Sequence, residues 1–278
     1  MYNPLVTEDI IKLTLKEDIN FQDITTDTLI DPKDQSCAKI IAKEVGVFAG
    51  GFILEQVYSI IDNSIEVEIH KNDGERIDKG DKVATIKGCT KNILKGERTA
   101  LNFMQRMSGI ATKSGEYAVL VKDLPVKIVD TRKTAPTLRV FDKYAVKVGG
   151  CFNHRFNLSD GVLIKDNHIA AVGSIKEAIH RSRKALSHTV KIEVEVQNLQ
   201  QFEEAIEAKV DIIMLDNMSV DMMKQAVKIN KGRAILEASG NISLNNVREV
   251  ASTGVDIISV GELTHSVKAL DLSMLIDK

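Results

Sequence analysis

The sequence predicts an α/β protein in two parts, an α+β layer followed by a β/α barrel that falls short of eight strands. Three observations predict it. First, from about Asp130 onward short β-branched apolar runs alternate with helix-length segments, at 126–129, 161–164, 192–196, 211–215, 234–236 and 256–260. Such runs read as parallel strands with crossover helices. Second, nearly every run ends in a polar residue: Asp130, Lys165, Glu195, Asp216, Glu237 and Gly261-Glu262. Glu195, Asp216 and Glu237 are spaced 21 residues apart. A barrel collects side chains from the ends of nearly all its strands, whereas an open doubly wound sheet feeds one switch point. No GxGxxG follows the first strand. Third, residues 1–108 have a different texture, with helices and short alternating strands mixed.

In chain order, helical spacing appears over 8–16 and again near 52–61, and residues 38–43 and 65–70 alternate as short strands. GERIDKGDKVATIKG at 74–88 reads as strand pieces separated by turn glycines. A long helix is expected from about 95 to 122, linking the two parts. In the second part LQQFEEAI at 199–206 has helical spacing, and SLNNVREV at 243–250 starts with Ser243 as an N-cap. The domains are set at 1–108 and 109–278, and the C-terminal end is a candidate to return to the first domain.

With 278 residues and 44% hydrophobic content the chain can build a sizeable core. A net charge of −2 argues against nucleic acid as the main partner, because duplex binding rests on a large basic excess. No apolar run is long enough to span a bilayer. The start MYNPLVTEDIIKL carries Glu8 and Asp9 and lacks the basic start and apolar core of a secretory signal. Cys37, Cys89 and Cys151 are odd in number, widely spaced and outside any CxxC, so a reduced, cytoplasmic setting is expected, with no zinc knuckle.

The stretch 130–168, DTRKTAPTLRVFDKYAVKVGGCFNHRFNLSDGVLIKDNH, holds seven Lys or Arg against four Asp. The cations sit where strands should end: Arg132 and Lys133 after KIVD, His154 and Arg155 after Gly-Gly, Lys165 after GVLI. A solvated basic face would show Lys at helical spacing without that punctuation. Guanidinium and ammonium groups so placed suit a polyanion.

This stretch resembles the signature of the quinolinate phosphoribosyltransferase family, also called nicotinate-nucleotide pyrophosphorylase. Supporting motifs run in order along most of the chain: EDINFQDITTD at 17–27, GERTALNFMQRMSGIAT at 96–112, EVEV at 193–196, MLDN at 214–217, LEASGNI at 236–242 and ISVGELTHS at 258–266. The resemblance implies an N-terminal open-faced α/β sandwich and an incomplete barrel of about seven strands. It implies dimers or larger homo-oligomers with shared active sites, the sandwich of one subunit capping the barrel of another. The implied reaction joins quinolinate and phosphoribosyl pyrophosphate to give nicotinate mononucleotide, pyrophosphate and carbon dioxide, with Mg²⁺. There are departures. Asn20, Phe21 and Gln22 stand where glycines are frequent, Cys151 takes the third place of a glycine triplet, and the SGG of many members reads Ser239-Gly240-Asn241. Asn tolerates positive φ, so that turn is expected to survive.

By the resemblance, Arg132, His154, Arg155 and Lys165 form the dicarboxylate pocket, and Arg98 is supplied across the subunit interface. Lys133 faces the pyrophosphate, with Thr131 beside it. Glu195 and Asp216 are the acidic pair for ribose hydroxyls. No tight metal cage is expected; Mg²⁺ arrives with the pyrophosphate, near Glu195 and Asp216. Ser239, Gly240, Asn241 and Gly261 lie in the last two strand-to-helix turns, where barrels bind phosphate, and His265 lines the same face. Cys151 is expected to pack, since the reaction needs no thiol nucleophile. Glu193 and Glu237 are left without a role. Three rivals are a relative acting on another substrate, a barrel Schiff-base lyase or aldolase using Lys165, and a lipoyl- or biotinyl-carrier fold suggested by 74–88. The last lacks a lysine at a tight exposed turn.

Overall fold

The computed structural model describes residues 3–277. In chain order its elements are α1 Pro4–Asp18, α2 Ile24–Leu29, β1 Gln35–Ala42, β2 Gly46–Val47, α3 Gly51–Ile61, β3 Glu66–Ile69, β4 Arg76–Ile77, β5 Lys82–Cys89 and α4 Thr90–Leu120. Then come β6 Lys127–Val129, α5 Arg139–Val148, β7 Val162–Ile164, α6 Asp166–Val172, α7 Ile175–Ala185, β8 Ile192–Val196, α8 Leu199–Glu207, β9 Ile212–Asp216 and α9 Val220–Asn230. The chain ends with β10 Ile235–Ser239, α10 Val247–Ala251, β11 Ile257–Ser259, α11 Glu262–His265 and β12 Leu272–Asp277.

Contacts divide the chain into two units. The first holds the chain up to Gly115, residues 134–150, and everything from Leu263 on. Its main sheet is antiparallel in the order β12-β1-β5-β3, and β2 pairs with β4. Alternate residues of β1, Ala38, Ile40 and Ala42, are fully buried, as are Ile53, Leu54, Val57 and Tyr58 of α3. Helix starts follow local chemistry. Asn3 accepts from the Leu5 amide ahead of Pro4 in α1, and Asp73 accepts from the Gly50 and Gly51 amides at the head of α3. The segment 134–150 joins this unit through a fork of Arg106 onto Asp142, both bonds 2.8 Å, and through Phe103 against Phe141. The Gly-Gly has a steric reason: a Cβ on Gly149 would stand 2.2 Å from the Ala111 carbonyl oxygen.

The second unit comprises residues 116–133 and 151–262. Its six-stranded sheet is parallel, in the order β6-β11-β10-β9-β8-β7. The first strand, β6, pairs with the last, β11, while the others pair with their neighbours in sequence. That order is a ring rather than a doubly wound sheet. A parallel bridge between Val129 and Phe152 adds a seventh segment beside β6. Among the described residues the ring is therefore an incomplete barrel with one unladdered seam, between Phe152 and β7. The seventh strand is reduced to this one bridge, because the Asp130 carboxylate accepts from the Asn153 side-chain amide and the His154 backbone amide instead of a ladder continuing. One expected cap is corrected: α10 starts at Val247 after Asn246, and Ser243 opens the preceding turn, its amide bonded to Asn246 Oδ1.

Candidate active site

The polar strand ends of the second unit meet on one face. In the parallel ladders Glu195 pairs with Met214, Met214 with Glu237, and Asp216 with Ser239. Side chains alternate along a strand, so Glu193, Glu195, Asp216, Glu237 and Ser239 share a side. The residues between them, Val194, Val196, Ile213, Leu215, Leu236 and Ala238, are at most 1% exposed. Lys165, at the head of α6, reaches the same face and donates from Nζ to Glu195 Oε2 at 2.9 Å. Its backbone amide donates to His168 Nδ1.

Asp130 follows β6 and is fully buried. It accepts from Asn153 Nδ2 at 2.7 Å and from the His154 amide at 2.9 Å, which fixes the segment after the Phe152 bridge. Arg155 Nη1 donates to the Gly161 carbonyl at 2.9 Å, across the open seam of the ring. The Arg155 pKa is lowered, first by burial and then by the neighbouring Arg132. Guanidinium groups that repel each other suit an anion as a common partner. Thr131 Oγ1 accepts from the Lys133 amide, shaping the turn that carries Arg132.

Beyond β9 and β10 lies a tight polar turn. Asn217 and Asn241 have φ of 53°, and Gly240 has φ of 94°, so the expected tolerance of Asn241 for positive φ is used. The Asn217 amide donates to the Ser239 carbonyl, Asn217 Nδ2 donates to Asp216 Oδ2, and Asn241 Nδ2 donates to Asn217 Oδ1. Asp216 is thereby tied to the Ser239-Gly240-Asn241 turn. Gly261 lies just past β11 in the same unit. Arg98 and His265 belong to the first unit. Arg98 is exposed on α4, and His265 contacts Ser266 Oγ at 2.7 Å.

The His154 ring is the least expected part of the site. Its Nε2 lies 3.2 Å from Glu193 Oε2 and 3.5 Å from Glu237 Oε2. Burial opposes a charged ring, and the two carboxylates outweigh burial, which lifts its pKa to about 10. The Arg155 amide stands outside that balance. It donates to Nδ1 at 2.8 Å, and a nitrogen that accepts a hydrogen bond carries no proton. The amide opposes that charge: it favours a ring with its proton on Nε2, turned toward the carboxylates, and a bare Nδ1. Burial raises the Glu193 carboxyl, as does Glu237 beside it, while the bond to His154 works the other way.

His154, Glu193 and Glu237 have ligand atoms within 4.8 Å of one another, as a divalent cation would need. The tautomer does not fit. A metal-bound imidazole donates from its other nitrogen, whereas here that nitrogen accepts. Cys151 is buried, and its thiol is pushed up to about 12, first by burial and then by Asp130, which suits packing and not nucleophilic attack. Sequence reasoning missed Asp130, Glu193, Glu237 and Asn217 as site residues. The EVEV motif was the available signal for Glu193, since its two acids must share a face.

Comparison with known proteins bears on the family and the fold. Residues 110–275 match the family described as quinolinate phosphoribosyl transferase, C-terminal domain, and residues 23–108 match its N-terminal domain. The chain is 45% identical to a probable nicotinate-nucleotide pyrophosphorylase [carboxylating] of Bacillus subtilis, over 98% of this chain and 94% of that protein. It is 42% identical to a mitochondrial quinolinate phosphoribosyltransferase [decarboxylating] of Nicotiana tabacum, over 97% of this chain and 82% of that protein. The solved structure of NadC from Streptococcus pyogenes superposes with a TM-score of 0.95 at 43% identity, covering 99% of this chain and 97% of the other.

Proposed function

The chain belongs to the quinolinate phosphoribosyltransferase family, and from that premise we propose how its own residues perform the reaction. The activity is transfer of a phosphoribosyl group to quinolinate with loss of carbon dioxide, a step of NAD biosynthesis. The reaction asks the protein to hold a dianion, hold an activated sugar phosphate, and align the ring nitrogen with the anomeric carbon. Catalysis of this kind is positioning and electrostatics.

Arg132, Arg155 and Lys165 receive the two carboxylates. Each charge-assisted hydrogen bond contributes about 1.5–3 kcal/mol. Once the nitrogen is ribosylated it is positive, and it takes up the electron pair left by decarboxylation. Glu195 and Asp216 hold ribose hydroxyls and favour positive character at the anomeric carbon. The Ser239-Gly240-Asn241 turn and Gly261 offer backbone amides to the sugar phosphate. Lys133 and Thr131 serve the pyrophosphate.

Mg²⁺ fits this donor set as a shared ion. Glu195 and Asp216 are oxygen donors already engaged by Lys165 and Asn217, which suits one or two contacts to an ion that keeps its waters and phosphates. When bound it neutralises charge on the leaving pyrophosphate. We also place Arg98 in the active site of a neighbouring subunit of a homodimer or larger assembly, with the first domain as a cap. Its exposure on α4, without an ion pair among the described residues, supports this. A cytoplasmic setting belongs to the same proposal, supported by three free thiols; no helix among the described residues is long and apolar enough to cross a membrane.

The observation that carries the assignment of roles is the gathering of Lys165 and the His154–Arg155 pair at an acid-lined face of strand ends. A Schiff-base reading of Lys165 is disfavoured: the side chain is 48% exposed and ion-paired with Glu195, the opposite of a desolvated amine. The test is release of labelled carbon dioxide from carboxyl-labelled quinolinate with phosphoribosyl pyrophosphate and Mg²⁺. Nicotinate is expected to be a poor substitute. Turnover of nicotinate with none of quinolinate would remove the assignment.

A further inference from the structure

A carboxylate inside a barrel is costly unless it is paired, and apolar residues of similar size commonly stabilise such positions better. Glu193 and Glu237 are 4% and 1% exposed. They come from β8 and β10 and turn Oε2 toward a single ring nitrogen, while Oε1 of each is buried and accepts no hydrogen bond from the described residues. Stability alone does not account for two such acids.

What they control is where His154 carries its proton. With the Nε2 proton drawn toward the carboxylates, Nδ1 is left bare to accept the Arg155 amide. That amide bond holds the backbone of Arg155 against the ring. The Arg155 side chain then crosses the seam of the barrel to the Gly161 carbonyl. On the reading of the site given above, we propose that Glu193 and Glu237 are positioning residues for the quinolinate carboxylates, acting through His154 on Arg155. The alternative tautomer would set an Nδ1 proton against the Arg155 amide proton and displace that backbone. The guanidinium beside Arg132 would then move with it. The sugar phosphate turn at Ser239-Gly240-Asn241 has no part in this chain of contacts, so the effect is confined to one substrate.

The test has a spectroscopic and a kinetic arm. In ¹⁵N-labelled wild-type protein, two-bond proton–nitrogen correlation should show His154 with a protonated Nε2 and a bare Nδ1, its signals identified by their loss in His154→Asn. Glu193→Ala and Glu237→Ala should each raise KM for quinolinate about tenfold, the worth of one hydrogen bond to a charged group, and leave KM for phosphoribosyl pyrophosphate unchanged. Glu193→Gln and Glu237→Gln should return KM for quinolinate to within about threefold of wild type, because an amide oxygen accepts the same proton. A doubly protonated His154 in the wild type overturns the proposal. So does a tenfold rise in KM for quinolinate in the glutamine variants, which fold most readily, or an equal rise in both KM values in the alanine variants. Failure of the assigned activity is a separate outcome: the wild type would release no carbon dioxide whatever its tautomer.

Discussion

At the scale of single residues, what matters is the shape of the charge as well as its sign. Arg155 acts as a fork, with one nitrogen on the Gly161 carbonyl and the rest of the group beside Arg132. Lysine would keep the charge and lose the fork. Arg155→Lys should therefore lower kcat/KM for quinolinate about 10- to 100-fold, with KM for phosphoribosyl pyrophosphate unaltered, as initial-rate kinetics on each substrate would show. Equal effects on both substrates would place Arg155 outside the carboxylate pocket. The cations of this site stood out in the sequence because Arg132 and Lys165 follow apolar runs and Arg155 follows a double glycine, in a chain with no basic excess. The acids beneath them did not. Glu193 and Glu195 look alike in EVEV, and only the fold shows one buried under His154 and the other at Lys165. Asp130 read as one more polar strand end, because a buried acceptor of backbone and amide hydrogens leaves no mark on composition.

At the scale of elements, the barrel strands were legible and their closure was not. Each of the six expected runs is a strand with bounds within three residues, since β-branched apolar runs between helices have few other solutions. The seventh, at Phe152, is a bridge one residue long, below what periodicity can reveal. The turn after β10 carries its own test. A Cβ on Gly240 would stand 2.2 Å from Asn217 Oδ1, and φ there is 94°. Gly240→Ala should cost about 1–3 kcal/mol and displace Asn217 from Asp216. The expected readout is a raised KM for phosphoribosyl pyrophosphate with KM for quinolinate little changed. Another element contact predicts acid sensitivity. Arg248 of α10 forks onto Asp123, the segment after α4, and that hydrogen bond holds the Asp123 carboxyl down at about 2 from an ordinary 3.8. A carboxylate depressed in the fold adds stability that is fully present above its unfolded value and is lost as pH falls through the folded one. Asp123→Asn should thus lower Tm slightly at pH 6 and flatten the fall in Tm between about pH 4 and pH 2. An unchanged acid limb would mean that the pair contributes nothing measurable.

At the scale of the whole molecule, sequence patterning names element types better than it names the unit an element joins. Residues 134–150 lie inside the most informative motif of the chain, yet Asp142 and Phe141 anchor them to Arg106 and Phe103 of the first unit. The last strand, β12, pairs with β1, a contact made by residues at opposite ends of the chain. Hydrophobic spacing carries no record of such long-range pairing. Arg98 poses the same question between subunits. It sits exposed on α4 in the first unit, whereas Arg132 and Lys165 sit in the second. If Arg98 completes the site of a neighbouring subunit, Arg98→Ala and Arg132→Ala proteins should each be inactive and folded by circular dichroism. Mixed in equal amounts and allowed to exchange, two-fold dimers would put one intact site in each heterodimer, restoring about a quarter of wild-type activity. If Arg98 serves its own subunit, every heterodimer site lacks one of the two arginines and activity stays at the level of the single variants. Subunit exchange shown by native mass spectrometry, with no recovered turnover, would therefore confine the active site to one chain.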